Sequence, residues 1–372
     1  MEKLSSTIII LLLCIAVAFG AALILENPAG LKIPTTPAIT PAATPPLAIT
    51  PVQVATPAVT PTDCRPISIT QTDGTTVSLS CEPKRIIAAN ANAAELLIAM
   101  GAGDRIIGVT ESTKSVPYVM DKIPSAVSIG DWQNPNIERM LALHPDIVIA
   151  YSSSKPKNID QITAANITIV TLDCYKLSTL ASDARALGRL TGKMNEAEVY
   201  ARLVENTISE VTARLKKIPA GTYPDVYFEM YTDYTVAAAG SGAHEMVIGA
   251  GGENIAADVS TSSAKVSPEW VVARKPDYVF KVVSSTNTMS LKDMVSALKE
   301  RPGWDSMPAV RNDRVYAFKN DIVYGPRSFI GLIYAAQILH PAEFRDMHPR
   351  EMLGEYDKRY VAGTNTTGMI WP

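Results

Sequence analysis

The side chains best suited to hold another molecule are aromatic rings and amides that follow short apolar runs. Asn90 and Asn92 follow the run 85–89, Tyr151 and Ser152 follow 146–150, Tyr231, Asp233 and Tyr234 follow 225–230, and Tyr324 and Arg327 follow 314–318. Trp132 stands in a Gly-Asp-Trp-Gln stretch ahead of another helix-strand pair. Side chains just past the strand ends of an open α/β sheet converge on a crevice. This many rings suits a large, flat or partly apolar ligand that a few polar groups orient. Arg327 is the polar group best fitted to grip a carboxylate, phosphate or carbonyl, because guanidinium forks to two acceptors. Its alternative is half of an internal ion pair, and the alternative for each ring is ordinary packing. His244, beside Glu245 after a Gly-Ser-Gly turn, joins the candidates, with a plain helix-start residue as its alternative. The chain has four histidines. His144 and His340 each precede Pro at a helix end and read as structural, so no bare-metal site and no cofactor is expected.

A repeat positions these residues. The stretch from Asn136 to Ile149, with Glu138 in its first turn and Pro145-Asp146 at its break, reappears without a gap from Ser267 to Phe280, with Glu269 and Pro276-Asp277 in the same places. Each copy opens on a good N-cap, puts a carboxylate at the second helical position, runs about two turns and enters an apolar strand. Two such units imply two similar α/β lobes in one polypeptide. A carboxylate at that position favours its own helix by about 0.3–1 kcal/mol. A matched pair, one per lobe, also presents two like charges to a single partner surface.

Between the lobes the strand-helix alternation breaks. Runs near 177–190 and 195–218 are helical with no strand between them, and the second is long enough to be a rigid strut. The expected fold is α/β: two doubly wound lobes with mainly parallel sheets, joined by one long rigid helix, with a ligand cleft between them. Expected bounds are 63–192 for the first lobe with a leading hairpin, 193–221 for the connecting helix, 222–361 for the second lobe and 362–372 for a tail.

Ahead of the lobes, residues 8–25 form an apolar run long enough to span a bilayer. It reads as a signal peptide or a membrane anchor ending near residue 26. Residues 27–62 are Pro, Thr and Ala with almost no charge, a composition that extends into a stalk. Cys64 and Cys81 bracket two alternating segments around Asp73-Gly74. A hairpin with a four-residue loop, 71–74, places them opposite one another as a disulfide, with Cys174 left as a buried thiol. The sequons Asn166-Ile167-Thr168 and Asn365-Thr366-Thr367 are short enough to occur by chance.

A net charge of −3 without a basic stripe argues against nucleic acid. No nucleophile elbow, phosphate loop or dinucleotide fingerprint occurs, so no enzyme is expected. Gly249-Ala250-Gly251-Gly252 follows a helix and reads as its stop.

The order of Pro83-Lys84-Arg85-Ile86-Ile87, Gly130-Asp131-Trp132-Gln133, both repeat copies, Ala250-Gly251-Gly252-Glu253-Asn254, Pro302-Gly303-Trp304, the stretch from Ala309 to Tyr316 and Leu339-His340-Pro341 resembles the iron-chelate and vitamin B12 solute-binding proteins of ABC importers. The resemblance implies a monomer that holds a metal chelate (corrinoid, ferric siderophore or haem) in a shallow cleft and delivers it to a permease dimer with its ATPase. Glu138 and Glu269 match the family's two permease-docking positions, and Trp132 and Arg327 match positions that face ligand in relatives. It places the protein on the outer face of the cell membrane. A bare-ion or oxyanion binder, or a surface sensor working without a permease, is the alternative.

Overall fold

The computed structural model describes residues 64–219, 221–284, 286–361 and 368–372. The apolar run 8–25, the Pro/Thr stalk and the second sequon lie outside the described residues. No described helix is long and apolar enough to cross a membrane.

A hairpin of β1 (Ile67–Thr70) and β2 (Thr76–Leu79) leads the chain and is closed by the Cys64–Cys81 disulfide, with Cys174 buried and free. The pairing is as expected, but the register is not. Thr70 pairs with Thr76, so the loop holds five residues instead of four, and the disulfide forms just beyond the strand ends. The Gln71 amide donates to the Thr75 carbonyl at 2.8 Å in the same register, and the Gly74 amide closes the turn on the Gln71 carbonyl at 2.9 Å. The disulfide closes a short loop only, so its loss on reduction should lower stability by about 2–3 kcal/mol. Peptide mapping without reductant should recover Cys64 joined to Cys81, and Cys174 alkylated only after unfolding; Cys174 in a bridge would overturn the assignment.

The first lobe is built on five parallel strands: β3 (Ile86–Ala88), β4 (Ile106–Val109), β5 (Val127–Ser128), β6 (Ile147–Ala150) and β7 (Ile169–Thr171). Their order is β5-β4-β3-β6-β7, so the winding reverses at β3 and opens a crevice between the ends of β3 and β6. β3 and β6 are buried along their whole length, as parallel strands covered by helices on both faces must be.

The second lobe carries β8 (Asp225–Glu229), β9 (Thr235–Ala237), β10 (Glu253–Asn254), β11 (Ser263–Lys265), β12 (Tyr278–Val283), β13 (Val315–Lys319) and β14 (Ile370–Trp371). The order is β11-β9-β8-β12-β13-β14, with β10 also on β8. β8, β12, β13 and β10 pair in parallel, whereas β9, β11 and β14 join antiparallel. This sheet is therefore mixed. The cause is connection length: residues 230–234 reverse the chain from β8 to β9, with Tyr234 in the left-handed region at φ 59°, and so few residues cannot make a parallel crossover.

Helices Leu180–Thr191 and Met194–Leu215 separate the two sheets. The second has 22 residues, about 33 Å, and buries Ala197, Tyr200, Ala201, Val204, Thr207, Val211 and Leu215 on one stripe. Helix Gly242–Gly249 stops where the glycines stand: Gly251 takes a positive φ, and the Gly252 amide donates back to the Val247 carbonyl at 2.9 Å.

Candidate functional site: an aromatic ladder across the lobes

Five rings form a continuous series, T-shaped at the first three contacts and tilted at the fourth. Trp132 lies 5.6 Å from Tyr151, Tyr151 6.4 Å from Tyr175, Tyr175 5.5 Å from Tyr324 and Tyr324 6.1 Å from Tyr231, measured between centroids. The first three belong to the first lobe and the last two to the second, so the ladder crosses between lobes at Tyr175 and Tyr324. Each stands just beyond a strand end or in the loop before the first repeat.

Local chemistry fixes each rung. The Asp131 carboxylate accepts the amides of Gln133 and Asn134 at 2.9 and 3.1 Å, which curls the loop that carries Trp132. Tyr175 follows a turn with Cys174 at φ 57°. That turn is tied down by Asp183, which accepts the Cys174 amide and the Thr72 hydroxyl at 2.8 Å each, and burial pushes the Asp183 carboxyl up to about 6. The Tyr175 hydroxyl meets Ser153 Oγ at 3.0 Å, and burial pushes its phenol up to about 12. The Tyr231 hydroxyl donates to Asn320, and Tyr231 is exposed at the open end of the ladder. Burial raises the phenols of Tyr151 and Tyr324 as well, so all these rings are neutral at physiological pH.

Gly242, the first residue of its helix, lets the two lobes meet at the ladder. A Cβ there would stand 2.7 Å from the Tyr175 ring and 3.4 Å from Tyr324. Gly242→Ala should therefore displace Tyr175 and weaken ligand binding about tenfold, because the overpacked site gives way at the ring. Trp132→Ala should weaken binding by about 1–3 kcal/mol with thermal stability nearly unchanged. Calorimetric titration beside a melting curve checks both; unchanged affinity in the two variants would return these rings to ordinary packing.

Several expected ligand residues have other work. Arg327 is fully buried, and its Nε and Nη2 donate to the two Glu95 oxygens at 2.9 Å each. Tyr118 and Tyr356 also donate to Glu95, at 2.9 and 3.1 Å, and Arg327 lies over both rings. The internal ion pair is thus what the structure has, and Arg327 does not face a ligand. Glu95 belongs to the first lobe and Arg327 to the second, so the pair locks the lobes below the ladder.

Asn90 is buried as the N-cap of helix Ala91–Ala99: its Oδ1 accepts the Asn92 amide at 2.9 Å, and its Nδ2 donates to the carbonyls of Leu172 and Asp173. Asn92 donates to the Asp173 carbonyl at 3.4 Å. Both amides brace the turn before Tyr175 instead of lining the cleft. The Ser152 amide is spent on Asp173 Oδ1 at 2.9 Å.

Tyr234 is turned into the second lobe, where Arg301 stacks on it at 4.5 Å, so it leaves the ladder. Arg301 also forks to Glu229 at 2.7 and 3.0 Å and reaches Asp233 at 2.7 Å. Lys281 donates to Glu229 at 2.8 Å and to the Met230 carbonyl at 2.7 Å. Burial alone would raise the Glu229 carboxyl, but Arg301 and Lys281 more than offset it and hold it below the usual range. This cluster fixes the turn that presents Tyr231. His244 meets Asn254 Nδ2 through its Nδ1 at 3.0 Å, and burial lowers its pKa. Asn254 Nδ2 also donates to the Ala237 carbonyl, and its Oδ1 accepts the Ala256 amide, so the carboxamide orientation is set and Nδ1 is the acceptor. His244 braces its own lobe and is not a rung.

Sequence reasoning missed Tyr175 and Glu95. The strand-end rule, applied to the run 167–172, points to Tyr175. Nothing local marks Glu95, whose partner is 232 residues away.

Both candidate docking residues are exposed in first helical turns. Asn136 accepts the Arg139 amide at 2.9 Å and Ser267 the Trp270 amide at 3.2 Å, the two N-caps expected from the repeat. The Glu269 carboxyl is held below the usual range by its own amide and the Ser267 hydroxyl. Among the described residues no group of His, Cys, Asp and Glu could hold a metal ion.

Two α/β lobes thus meet at a series of rings. The chain belongs to the periplasmic binding protein family, whose profile matches residues 86–322. An ABC transporter substrate-binding lipoprotein of Bacillus subtilis is 27% identical over 278 residues, 73% of this chain and 84% of that protein. A cobalamin-binding protein of Halobacterium salinarum is 27% identical over 249 residues, 66% of this chain and 64% of that protein. A vitamin B12-binding protein of Yersinia pestis is 31% identical over 219 residues, 58% of this chain and 73% of that protein. The fold is that of a periplasmic vitamin B12 binding protein of Vibrio cholerae, with TM-score 0.60 and 22% identity over 70% of this chain and 98% of that one. A TroA-like periplasmic binding protein of Veillonella parvula gives TM-score 0.69 and 21% identity over 82% and 99%. Family membership places the folded part outside the cytoplasm.

Proposed function

We propose that the protein captures a corrinoid, a metal chelate of low net charge, and hands it to an ABC permease with its ATPase. The observation that carries the ligand class is the ladder: five neutral rings offer apolar faces, while the arginine expected to receive an anionic ligand is spent on Glu95. A ferric siderophore or haem carboxylates would bring negative charge beside the exposed Asp131, next to Trp132, whereas corrinoid side chains are amides that need hydrogen bonds only. The names of the Halobacterium and Yersinia relatives support the same ligand. Residues 8–25 anchor the protein or direct its export, and the stalk 27–62 holds the lobes away from the membrane. Glu138 and Glu269, one per lobe, dock onto permease arginines.

The test is titration of the purified protein with cobalamin, cobinamide, haem and a ferric catecholate, followed by tryptophan fluorescence. Saturable quenching by the two corrinoids, at least tenfold tighter than by haem or ferric catecholate, is the expected result. Preference for haem or for the ferric chelate would reject the corrinoid reading while leaving the solute-binding class standing.

A further inference from the structure

A second feature lies away from the ladder. The sequon Asn166-Ile167-Thr168 links helix Ile159–Ala164 to β7, and Ile167 is buried between two exposed neighbours. The Asn166 carboxamide and the Thr168 hydroxyl are both exposed on the lining of one recess, and neither makes a hydrogen bond within the described residues. Asn166 takes φ 58°, a left-handed conformation that closes the helix and that Asn tolerates.

The sequon opens on a recess of about 510 Å³ lined by polar side chains, among them Gln71, Asp73, Thr75, Lys155 and Thr163, with Ile159 as an apolar patch. Its floor is β7, the edge strand of the first sheet. The hairpin covers one end of that edge: the Thr171 amide donates to the Gln71 side chain at 2.6 Å, and its carbonyl accepts the Thr72 amide at 3.2 Å. Ladder alternation points the amide and carbonyl of Ile169 the same way, into the recess, where the hairpin does not reach. An open strand edge is a template for pairing with other chains, and natural proteins cover it. Asn166 stands at the start of β7, whereas the ladder stands at the strand ends, so a group attached here leaves the cleft clear.

We propose that Asn166 carries an N-linked oligosaccharide whose first sugars lie in this recess and cover the edge of β7. The recess supplies hydroxyl, amide, carboxylate and ammonium partners for sugar hydroxyls, and Ile159 a surface for a sugar C–H face. The donor is a polyprenyl-phosphate-linked oligosaccharide acted on outside the cytoplasm, where the family places this chain. The Asn166 Nδ2 bonds to the anomeric carbon, the carbon's bond to the lipid phosphate oxygen breaks, and the amide proton leaves as the lipid phosphate departs.

The full chain is purified from cells of its own source and its tryptic peptides are weighed. The expected result is a hexose or N-acetylhexosamine series on the peptide containing Asn166, lost in Asn166→Gln and in Thr168→Ala and kept in Thr168→Ser. Thr168→Ala leaves the left-handed Asn166 backbone untouched, so its loss of the series reports chemistry and not folding. Hydrogen exchange should then be at least fivefold slower at Ile169 in the glycosylated protein than in Thr168→Ala. An unmodified Asn166 peptide accounting for the purified material overturns the site; a glycan that leaves exchange at Ile169 unchanged overturns the recess as its seat.

Discussion

Arg327→Ala is expected to lower the stability of the protein by about 3–5 kcal/mol, because it leaves the Glu95 carboxylate buried without its cation. Glu95 is 4% exposed and Arg327 0%, so water cannot replace the lost partner. The pair joins helix Ala91–Ala99 of the first lobe to the start of helix Ser328–Leu339 in the second, and Tyr200 of the connecting helix donates to the neighbouring Pro326 carbonyl at 2.5 Å. One deletion thus loosens three elements. Replacing both members, Glu95→Leu with Arg327→Met, should recover much of the loss, since a buried pair exchanged for apolar side chains of similar volume is close to neutral. Urea denaturation of the parent, the single variant and the double variant measures this. A single variant as stable as the parent but weaker in ligand binding would put Arg327 back in the cleft.

The second large effect concerns delivery. Glu138→Lys combined with Glu269→Lys should leave ligand affinity within about twofold while transport collapses by orders of magnitude, because two like charges would face permease arginines. Both side chains are exposed on short helices, and the N-caps Asn136 and Ser267 still accept the Arg139 and Trp270 amides without them, so folding should be little affected. Each single change should give an intermediate loss. Ligand titration is compared with uptake by vesicles carrying the cognate permease and ATPase. Undiminished uptake by the double variant would falsify the docking role and leave both residues as helix-start charges.

Local signals read well from this chain. Asn136 and Ser267 cap the helices that the repeat announces, and the strands that end its two copies, β6 and β12, are buried throughout. What misled was chemistry with two uses. Asn90 caps a helix and can equally well bind a ligand, and only the carbonyls of Leu172 and Asp173 decide between them. Arg327 suits an anion of any origin, and the one that claims it is Glu95, from the other lobe. β9, β11 and β14 span two or three residues each, too few to show a period. Tyr231, Tyr324 and Tyr151 were legible as rungs because position past a strand end is itself a sequence feature, and Trp132 because its loop leads into the first copy of the repeat.

The boundary between the lobes bears on how fast the cleft can work. Besides Glu95 and Arg327, Ser178 donates to Glu245 at 3.0 and 2.9 Å, Ser328 to the Tyr175 carbonyl at 2.7 Å and Tyr118 to Asp321 at 3.2 Å, all from one lobe to the other. Opening this boundary would break all of these bonds together, so binding is expected to use the form in which they are made. Association should then follow a single exponential whose rate rises linearly with ligand concentration and shows no plateau, the signature of a preformed surface limited by encounter. Residence time, set by how well the rings hold the ligand, is left as the one quantity that can differ widely between ligands of similar size. If the protein hands its ligand to a permease as proposed, release falls to the partner that pries this boundary apart.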